Sequence, residues 1–196
     1  NEKWLNQAVY GLSEWYAPSI AKAELVSNPG CYPTASLLAL LPVLQERLID
    51  QRQVIIDAKS GISGAGRTAA TDLLFSERQE NVKPYKTNGH QHIPEIERYA
   101  QKSGCTGTKV TFIPHLIPMV RGLIVTIYSP LQRNCTHVEI EAIYQEHYQE
   151  KPFVRLMSEG VPQSKQVLGS NYCDIGWQID QRTGQLVIVA VIDNLV

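Results

Sequence analysis

Short apolar runs alternate along this chain with longer segments of helical periodicity. The apolar runs are rich in β-branched residues, and they predict strands over 22–27, 54–59, 108–116, 122–129, 175–179 and 186–193. The helical pattern predicts helices over 33–48, 68–77, 94–102 and 137–149. Leucine and valine cover much of the circumference of the 33–48 segment, so we expect that helix to be buried on most of its surface.

The order of these elements indicates an α+β fold. Segments 108–116 and 122–129 are joined by a short loop, 117–121, and this arrangement predicts an antiparallel pair. Helices mixed with such strands predict a mixed, largely antiparallel sheet with helices packed on one face.

Composition and net charge favour a globular protein and argue against nucleic-acid-binding and membrane proteins. The 196 residues are 43% hydrophobic and 19% charged, which favours a compact globular chain over a disordered one. A net charge of −1 gives no long-range attraction to nucleic acid or to an anionic membrane. No apolar run approaches the roughly 20 residues that span a bilayer, and no signal peptide is visible. We therefore expect a cytoplasmic protein with no nucleic-acid or membrane partner.

The cysteines are few and widely spaced. None of the four forms a CxxC pair, so we expect free thiols in a reducing compartment and no structural zinc. Cys31 stands out because the segment SNPGCYPTA (27–35) places it between a predicted strand and a helix that opens at Pro33. The positive helix end should lower the pKa of its thiol, and the helix amides could stabilise an oxyanion. The alternative is a buried, inert cysteine.

Two histidines precede the helix predicted at 94–102. His90 and His92, followed by Pro94 and Glu95, could supply a general base and a second polar contact. Two exposed loop histidines are the alternative. The HxH spacing could also bind a metal, but no third ligand lies nearby in sequence, so we predict no metal site.

A small-residue loop and an isolated arginine complete the candidates. The segment SGISGAGR (60–67) follows a strand, its amides could form an anion nest, and Arg67 adds a charge. It matches neither the Walker loop nor the GxGxxG fingerprint, and a flexible turn is the alternative. Arg121, between a proline-bearing loop and a glycine, could bind an anionic substrate bidentately or lie exposed on an edge strand.

Taken together and in this order, the motifs resemble the N-acetyl-γ-glutamyl-phosphate reductase family, which is related to aspartate-semialdehyde and glyceraldehyde-phosphate dehydrogenases. The GCYPTA and HxHxPE elements are the specific ones. The resemblance spans the chain through YGLSE (10–14), NPGCYPTA (28–35), SGISGAGR (60–67), HQHIPEI (90–96), IP and RG within 117–122, GSN (169–171) and DNLV (193–196).

The resemblance implies a reaction and a set of roles. Cys31 would attack an acyl phosphate and form a thioester, which NADPH would reduce to an aldehyde in arginine biosynthesis. Either His90 or His92 would be the acid/base, with a slight preference for His90. The other implied contacts are Asn28, Arg67 and Arg121 with substrate, and Ser60, Gly61, Ser63, Gly64 and Asn194 with NADP.

The resemblance also implies an organisation. Residues 1–30 would be the tail of an NADP-binding Rossmann domain, and 31–196 a catalytic and dimerisation domain like the C-terminal domain of glyceraldehyde-phosphate dehydrogenase, without the family's C-terminal helix. We expect a homo-oligomer, dimer or tetramer, formed through the sheet. Because GxGxxG is missing, we expect this chain alone to bind NADP poorly and not to turn over. The alternatives are a Cys/His thiol hydrolase or acyltransferase, or a non-catalytic subunit-association module.

Overall fold

The computed structural model describes residue 4 and residues 7–196 of the chain. Within that part, the strands are β1 (Val9–Tyr10), β2 (Val26–Ser27), β3 (Val54–Ser60), β4 (Lys83–Pro84), β5 (Val110–Leu116), β6 (Leu123–Pro130), β7 (Val154–Met157), β8 (Cys173–Asp180) and β9 (Gln185–Ile192). The helices are α1 (Ser13–Ile20), α2 (Cys31–Gln45), α3 (Phe75–Arg78), α4 (Ile93–Lys102) and α5 (His137–Tyr148), with 3-10 turns at Ile62–Ala65, Thr71–Leu73 and Ser164–Val167.

The main sheet is mixed and largely antiparallel. Its seven strands run in the order β4-β5-β3-β6-β9-β8-β7, with β3 parallel to β5, β7 parallel to β8 and the other neighbours antiparallel. Helix α2 packs against β6, β8 and β9, and helices α4 and α5 pack against α2. The predicted α+β fold class is therefore confirmed.

The predicted pairing of segments 108–116 and 122–129 is wrong. These segments form β5 and β6, but β3 lies between them: Asp57 is in register with Ile113 on one side and with Thr126 on the other. The connecting loop crosses the end of β3, where its carbonyls accept hydrogen bonds from the amides that follow this strand. A short loop thus joins strands that are not neighbours in the sheet.

Two other predicted elements differ from the structure. Segment 68–77 forms only the turn Thr71–Leu73 and the four-residue α3, because its apolar residues Leu74 and Phe75 are exposed and cover no core. Of segment 22–27, only Val26–Ser27 is a strand, and it pairs in parallel with β1 outside the main sheet.

Helix α2 is the buried centre of the fold, as its composition predicts. Pro42 lies inside this helix and has no N–H to donate to the carbonyl of Leu38. The Tyr148 hydroxyl donates to that carbonyl instead, at 2.6 Å, and in turn accepts from Trp15 Nε1 at 3.0 Å. The proline therefore leaves no unsatisfied carbonyl in the core.

The described part of segment 1–30 packs into the same core. Tyr10 and Leu12 are buried in the hydrophobic cluster that contains α2. Residues 1–3, 5 and 6 of this segment lie outside the described residues, and the predicted domain boundary at residue 30 stays a prediction. None of the helices in the described part of the chain is long and apolar enough to cross a membrane.

Candidate active site

Cys31 is the first residue of α2, one half-turn earlier than the predicted helix start. Gly30 is the N-cap residue, and its carbonyl accepts from both the backbone N–H and the hydroxyl of Thr34, each at 2.9 Å. The half-buried Cys31 therefore lies where the unpaired amides of the first helical turn converge.

The ring of His92 lies directly against Gly30. A Cβ atom added to Gly30 would lie 2.4 Å from His92 Nε2, so no other residue fits without moving the ring. His90 is next to it, with ring centroids 4.7 Å apart. The structure thus brings together the cysteine and the two histidines that the sequence indicates.

His90 is enclosed by aromatic rings. The centroids of Tyr32, Tyr85 and Phe112 lie 5.9, 5.7 and 5.2 Å from its own, and only 6% of the residue is exposed. Its Nδ1 accepts the backbone N–H of His92 at 3.2 Å. His90 is therefore a buried acceptor that fixes the backbone of His92, whereas the His92 ring lies against Gly30, the residue before Cys31.

Both imidazoles are held neutral. Burial lowers the pKa of His90 to about 4, with smaller contributions from His92 and Lys86. Burial, followed by Lys86, also lowers the pKa of His92. Both rings are therefore unprotonated at neutral pH. No group of three or more His, Cys, Asp or Glu side chains in the described ranges could hold a metal ion.

The prediction of a lowered pKa at Cys31 is wrong. Burial raises the pKa of its thiol and outweighs the amides of Tyr32 and Cys31, which act in the opposite direction, while the charge of Glu95 raises it further. The thiol is therefore protonated at neutral pH. All four cysteines are free.

Glu95 is a site residue that the sequence did not identify. Its Oε1 accepts the N–H of Gly30 at 3.0 Å and the hydroxyl of Tyr10 at 2.7 Å. In the sequence, Glu95 belongs to the HxHxPE element, but an acidic residue in the first turn of a helix is common and indicates no role of its own. Only the tertiary fold brings it to the peptide before Cys31.

The small-residue loop forms no free anion nest. The amides of Gly61, Ile62 and Ser63 donate to the carbonyls of Gly122, Met119 and Val120, and those of Gly64 and Gly66 donate within the loop. A Cβ on Gly61 would lie 2.7 Å from the Val120 carbonyl oxygen, so this glycine allows one loop to approach another. The predicted anion nest is therefore wrong for these amides.

Asn194 ties the same two loops together. Its Oδ1 accepts the N–H of Gly122 at 2.7 Å, and its Nδ2 donates to Ser63 Oγ at 2.9 Å. The Ser60 hydroxyl donates to the carbonyl of Gly61 at 3.0 Å. The predicted NADP contacts are thus engaged in hydrogen bonds within and between these loops, and they do not fit a cradle for the cofactor's phosphates.

The three predicted substrate contacts differ in their surroundings, although Asn28 and Asp193, the partner of Arg121, line the same cavity. Arg121 is paired with buried Asp193 through two hydrogen bonds, Nε to Oδ1 at 3.2 Å and Nη2 to Oδ2 at 2.7 Å. Burial alone would raise the pKa of Asp193, but the amides of Gly169 and Leu195 and the Arg121 charge lower it overall. Arg67 is exposed. Asn28 lines a cavity of about 300 Å³ together with Thr34 and residues 170–173.

Comparisons with known proteins agree with this geometry. Residues 31–194 match the family model described as semialdehyde dehydrogenase, dimerisation domain. A protein named N-acetyl-gamma-glutamyl-phosphate reductase from Geobacillus sp. (strain WCH70) is 51% identical to this chain, and the match covers 100% of this chain and 57% of that protein. A protein of the same name from Alkaliphilus metalliredigens (strain QYMF) is 52% identical, and the match covers 98% of this chain and 56% of that protein. The chain therefore spans a little over half the length of these relatives.

Solved structures share the fold at low identity. Aspartate semialdehyde dehydrogenase II from Vibrio cholerae has a TM-score of 0.72 at 16% identity, with 96% of this chain and 64% of that chain covered. Aspartate semialdehyde dehydrogenase from Francisella tularensis has a TM-score of 0.71 at 15% identity, with 97% and 67% covered.

Burial of neutral His90 makes stability depend on pH. Unfolded His90 binds a proton near its ordinary pKa of 6.5, whereas folded His90 binds one only near 4, so the free energy of unfolding should fall as pH drops through this interval. Urea denaturation at a series of pH values measures the slope. His90→Asn keeps an acceptor but cannot titrate, and it should reduce the slope. An unchanged slope in this variant would mean that His90 is not held neutral.

Proposed function

Because this chain belongs to the semialdehyde dehydrogenase dimerisation-domain family, we propose that it is the catalytic part of an N-acetyl-γ-glutamyl-phosphate reductase. The reaction would convert the acyl phosphate to N-acetylglutamate semialdehyde and phosphate in arginine biosynthesis, in the cytoplasm. The observation that carries this proposal is the contact between the His92 ring and Gly30, the residue that precedes Cys31 at the start of α2.

His92 is the acid/base in this proposal, in place of His90. The buried Nδ1 of His92 has no hydrogen-bond partner among the described residues, and its Nε2 lies at the segment that carries the nucleophile. His90 uses its Nδ1 to hold the His92 backbone and is closed off by aromatic rings. A neutral His92 can accept the thiol proton, whereas His90 supports it.

Cys31 performs the first half of the reaction. Its sulfur attacks the acyl carbon, the bond from that carbon to the phosphate oxygen breaks, and a thioester and inorganic phosphate result. The thiol proton passes to His92 and leaves with the phosphate. The amides of Cys31 and Tyr32 hydrogen-bond to the thiol, and they can stabilise the oxyanion that forms on the attacked carbonyl.

Reduction of the thioester needs a hydride donor, and NADPH supplies it in the proposed reaction. Ser60, Gly61, Ser63, Gly64 and Asn194 offer no phosphate cradle, so we assign most of the NADPH binding to a region that the relatives have and this chain does not span. In substrate binding, Arg121 is the better-positioned cation because Asp193 fixes its guanidinium. Asn28 and Arg67 stay predictions.

The sheet offers a face for self-association. The partly exposed side chains of β3, β5 and β6 are mixed: Ile55 (47% exposed), Ile113 and Ile124 lie among polar residues, including the ion pair of Asp57 and Lys59. Apolar side chains grouped on an uncovered sheet face are typical of an interaction site. We propose that a second copy covers this face and forms a homodimer, in keeping with the dimerisation domain that the family name describes.

The nucleophile can be tested without NADPH. Incubation of the chain with N-acetyl-γ-glutamyl phosphate should add one acyl group to Cys31 and release phosphate, as measured by intact mass and peptide mapping. Cys31→Ser should abolish the thioester, and His92→Asn should slow it by about 100-fold, the effect of losing a general base. His90→Asn should slow it less. Acylation at another cysteine, or equal losses in the two histidine variants, would contradict the assignment.

The same experiment separates the alternatives. A thiol hydrolase would turn over repeatedly and accept a phosphate-free ester, whereas a reductase intermediate should accumulate to one group per chain. A non-catalytic association module would take up no acyl group.

Self-association depends on the open sheet face in this proposal. Ile55→Glu should raise the dissociation constant of the dimer by at least about tenfold, because an unpaired charge would be buried in the interface. Val138→Glu is the matched control, since Val138 is a 73% exposed residue on α5. Sedimentation velocity measures both. A strict monomer at tens of micromolar, or equal behaviour of the two variants, would overturn the assignment.

A further inference from the structure

We infer that Tyr10 is a positioning residue of the active site, acting through Glu95 on the peptide N–H that precedes Cys31. This inference rests on the proposed role of Cys31 as the nucleophile. Tyr10 belongs to the YGLSE segment, which the proposed reaction does not use. Its hydroxyl lies 2.7 Å from Glu95 Oε1, and the same oxygen accepts the Gly30 N–H at 3.0 Å.

The phenol is held in place by its surroundings. Tyr10 is buried, and its ring stacks on Tyr99 with centroids 3.4 Å apart and planes within 10°. The ring of Tyr16 contacts it edge-on at 6.2 Å. Because the ring cannot swing away, the hydroxyl donates from a fixed point, and Glu95 is held between this donor and Gly30.

The charge of Glu95 matters for the thiol. Glu95 lies close enough to Cys31 to raise the pKa of its thiol. The two hydrogen bonds that Oε1 accepts hold the negative charge of the Glu95 carboxylate near Tyr10 and Gly30. They also restrict the movement of this carboxylate. Without the Tyr10 hydroxyl, the carboxylate would repel a thiolate more strongly, and the Gly30 peptide would be less firmly held at the start of α2.

Alkylation of Cys31 measures this effect directly. The rate of reaction with iodoacetamide, followed by peptide mass spectrometry from about pH 6 to about pH 10, reports the thiolate fraction. Tyr10→Phe keeps the stack and removes only the hydroxyl. It should slow alkylation at neutral pH about fivefold, the change expected from one hydrogen bond of ordinary strength, and move the midpoint to higher pH.

Tyr16→Phe is the matched control, because its hydroxyl bonds to Ser103 Oγ at 3.3 Å and not to Glu95. This variant should match the unmodified chain. Fully buried Cys173 reports folding in every variant, since it reacts only if the core opens. Equal profiles for Tyr10→Phe and Tyr16→Phe, with Cys173 protected, would overturn the inference.

A double-mutant cycle separates positioning from general structural support. Glu95→Gln keeps an acceptor for Gly30 and removes the charge, so it should move the Cys31 midpoint to lower pH. In that background, Tyr10→Phe should shift the midpoint no further, because Tyr10 acts through the carboxylate. A full additional shift would overturn the inference. Alkylation needs neither acyl phosphate nor NADPH, so failed acylation of Cys31 would refute the proposed function and leave this result standing.

Discussion

The contact between the His92 ring and the backbone of Gly30 is the constraint on which the active site depends. It requires a residue without a Cβ at the N-cap of α2, since a methyl group there would lie 2.4 Å from Nε2. It also joins two motifs that are distant in the chain. The core fixes both partners of this contact. Helix α2, which begins after Gly30, is buried and hydrogen-bonded to Tyr148. The segment that carries His92 is held by the aromatic rings that enclose His90.

Burial decides the protonation of this site. A helix N-terminus favours a thiolate, but at Cys31 the loss of solvent and the nearby Glu95 raise the pKa, and burial likewise keeps both histidines neutral. The resting pair is therefore a thiol beside a neutral imidazole. In the proposed reaction, such a pair would transfer its proton during attack and avoid a pre-formed ion pair whose desolvation would be costly in a partly buried site.

Local patterns in the sequence predict the fold class and the long elements. Alternation along β3 and β6, the continuous apolar run of β9 and the wide apolar stripe of α2 agree with the burial of these elements. The order of strands is not local: the short loop 117–121 predicts a hairpin, but β3 lies between β5 and β6. Segment 68–77 has helical composition, but it has no core to cover.

In the candidate site, too, the sequence predicts local motifs but not the contacts that form between distant segments. Cys31, His90 and His92 carry specific motifs and lie together. The prediction of an anion nest is wrong because amides of the small-residue loop donate hydrogen bonds to carbonyls of another loop. Only the tertiary structure reveals these bonds. The sequence indicates no role for Glu95 or Tyr10, because the roles proposed for them depend on hydrogen bonds between residues that are distant in the chain. Glu95 accepts from Gly30 and from Tyr10.

In the proposed active site, His92 serves Cys31 because Gly30 lets the imidazole ring lie against the start of α2. The most direct test is the rate of Cys31 acylation by N-acetyl-γ-glutamyl phosphate in Gly30→Ala, with folding checked by protection of buried Cys173. The φ of Gly30 is −67°, which alanine adopts without strain, so only the displaced ring should matter. We expect a loss of about 100-fold, equal to that in His92→Asn. A folded Gly30→Ala variant that is acylated at the unmodified rate would contradict the account.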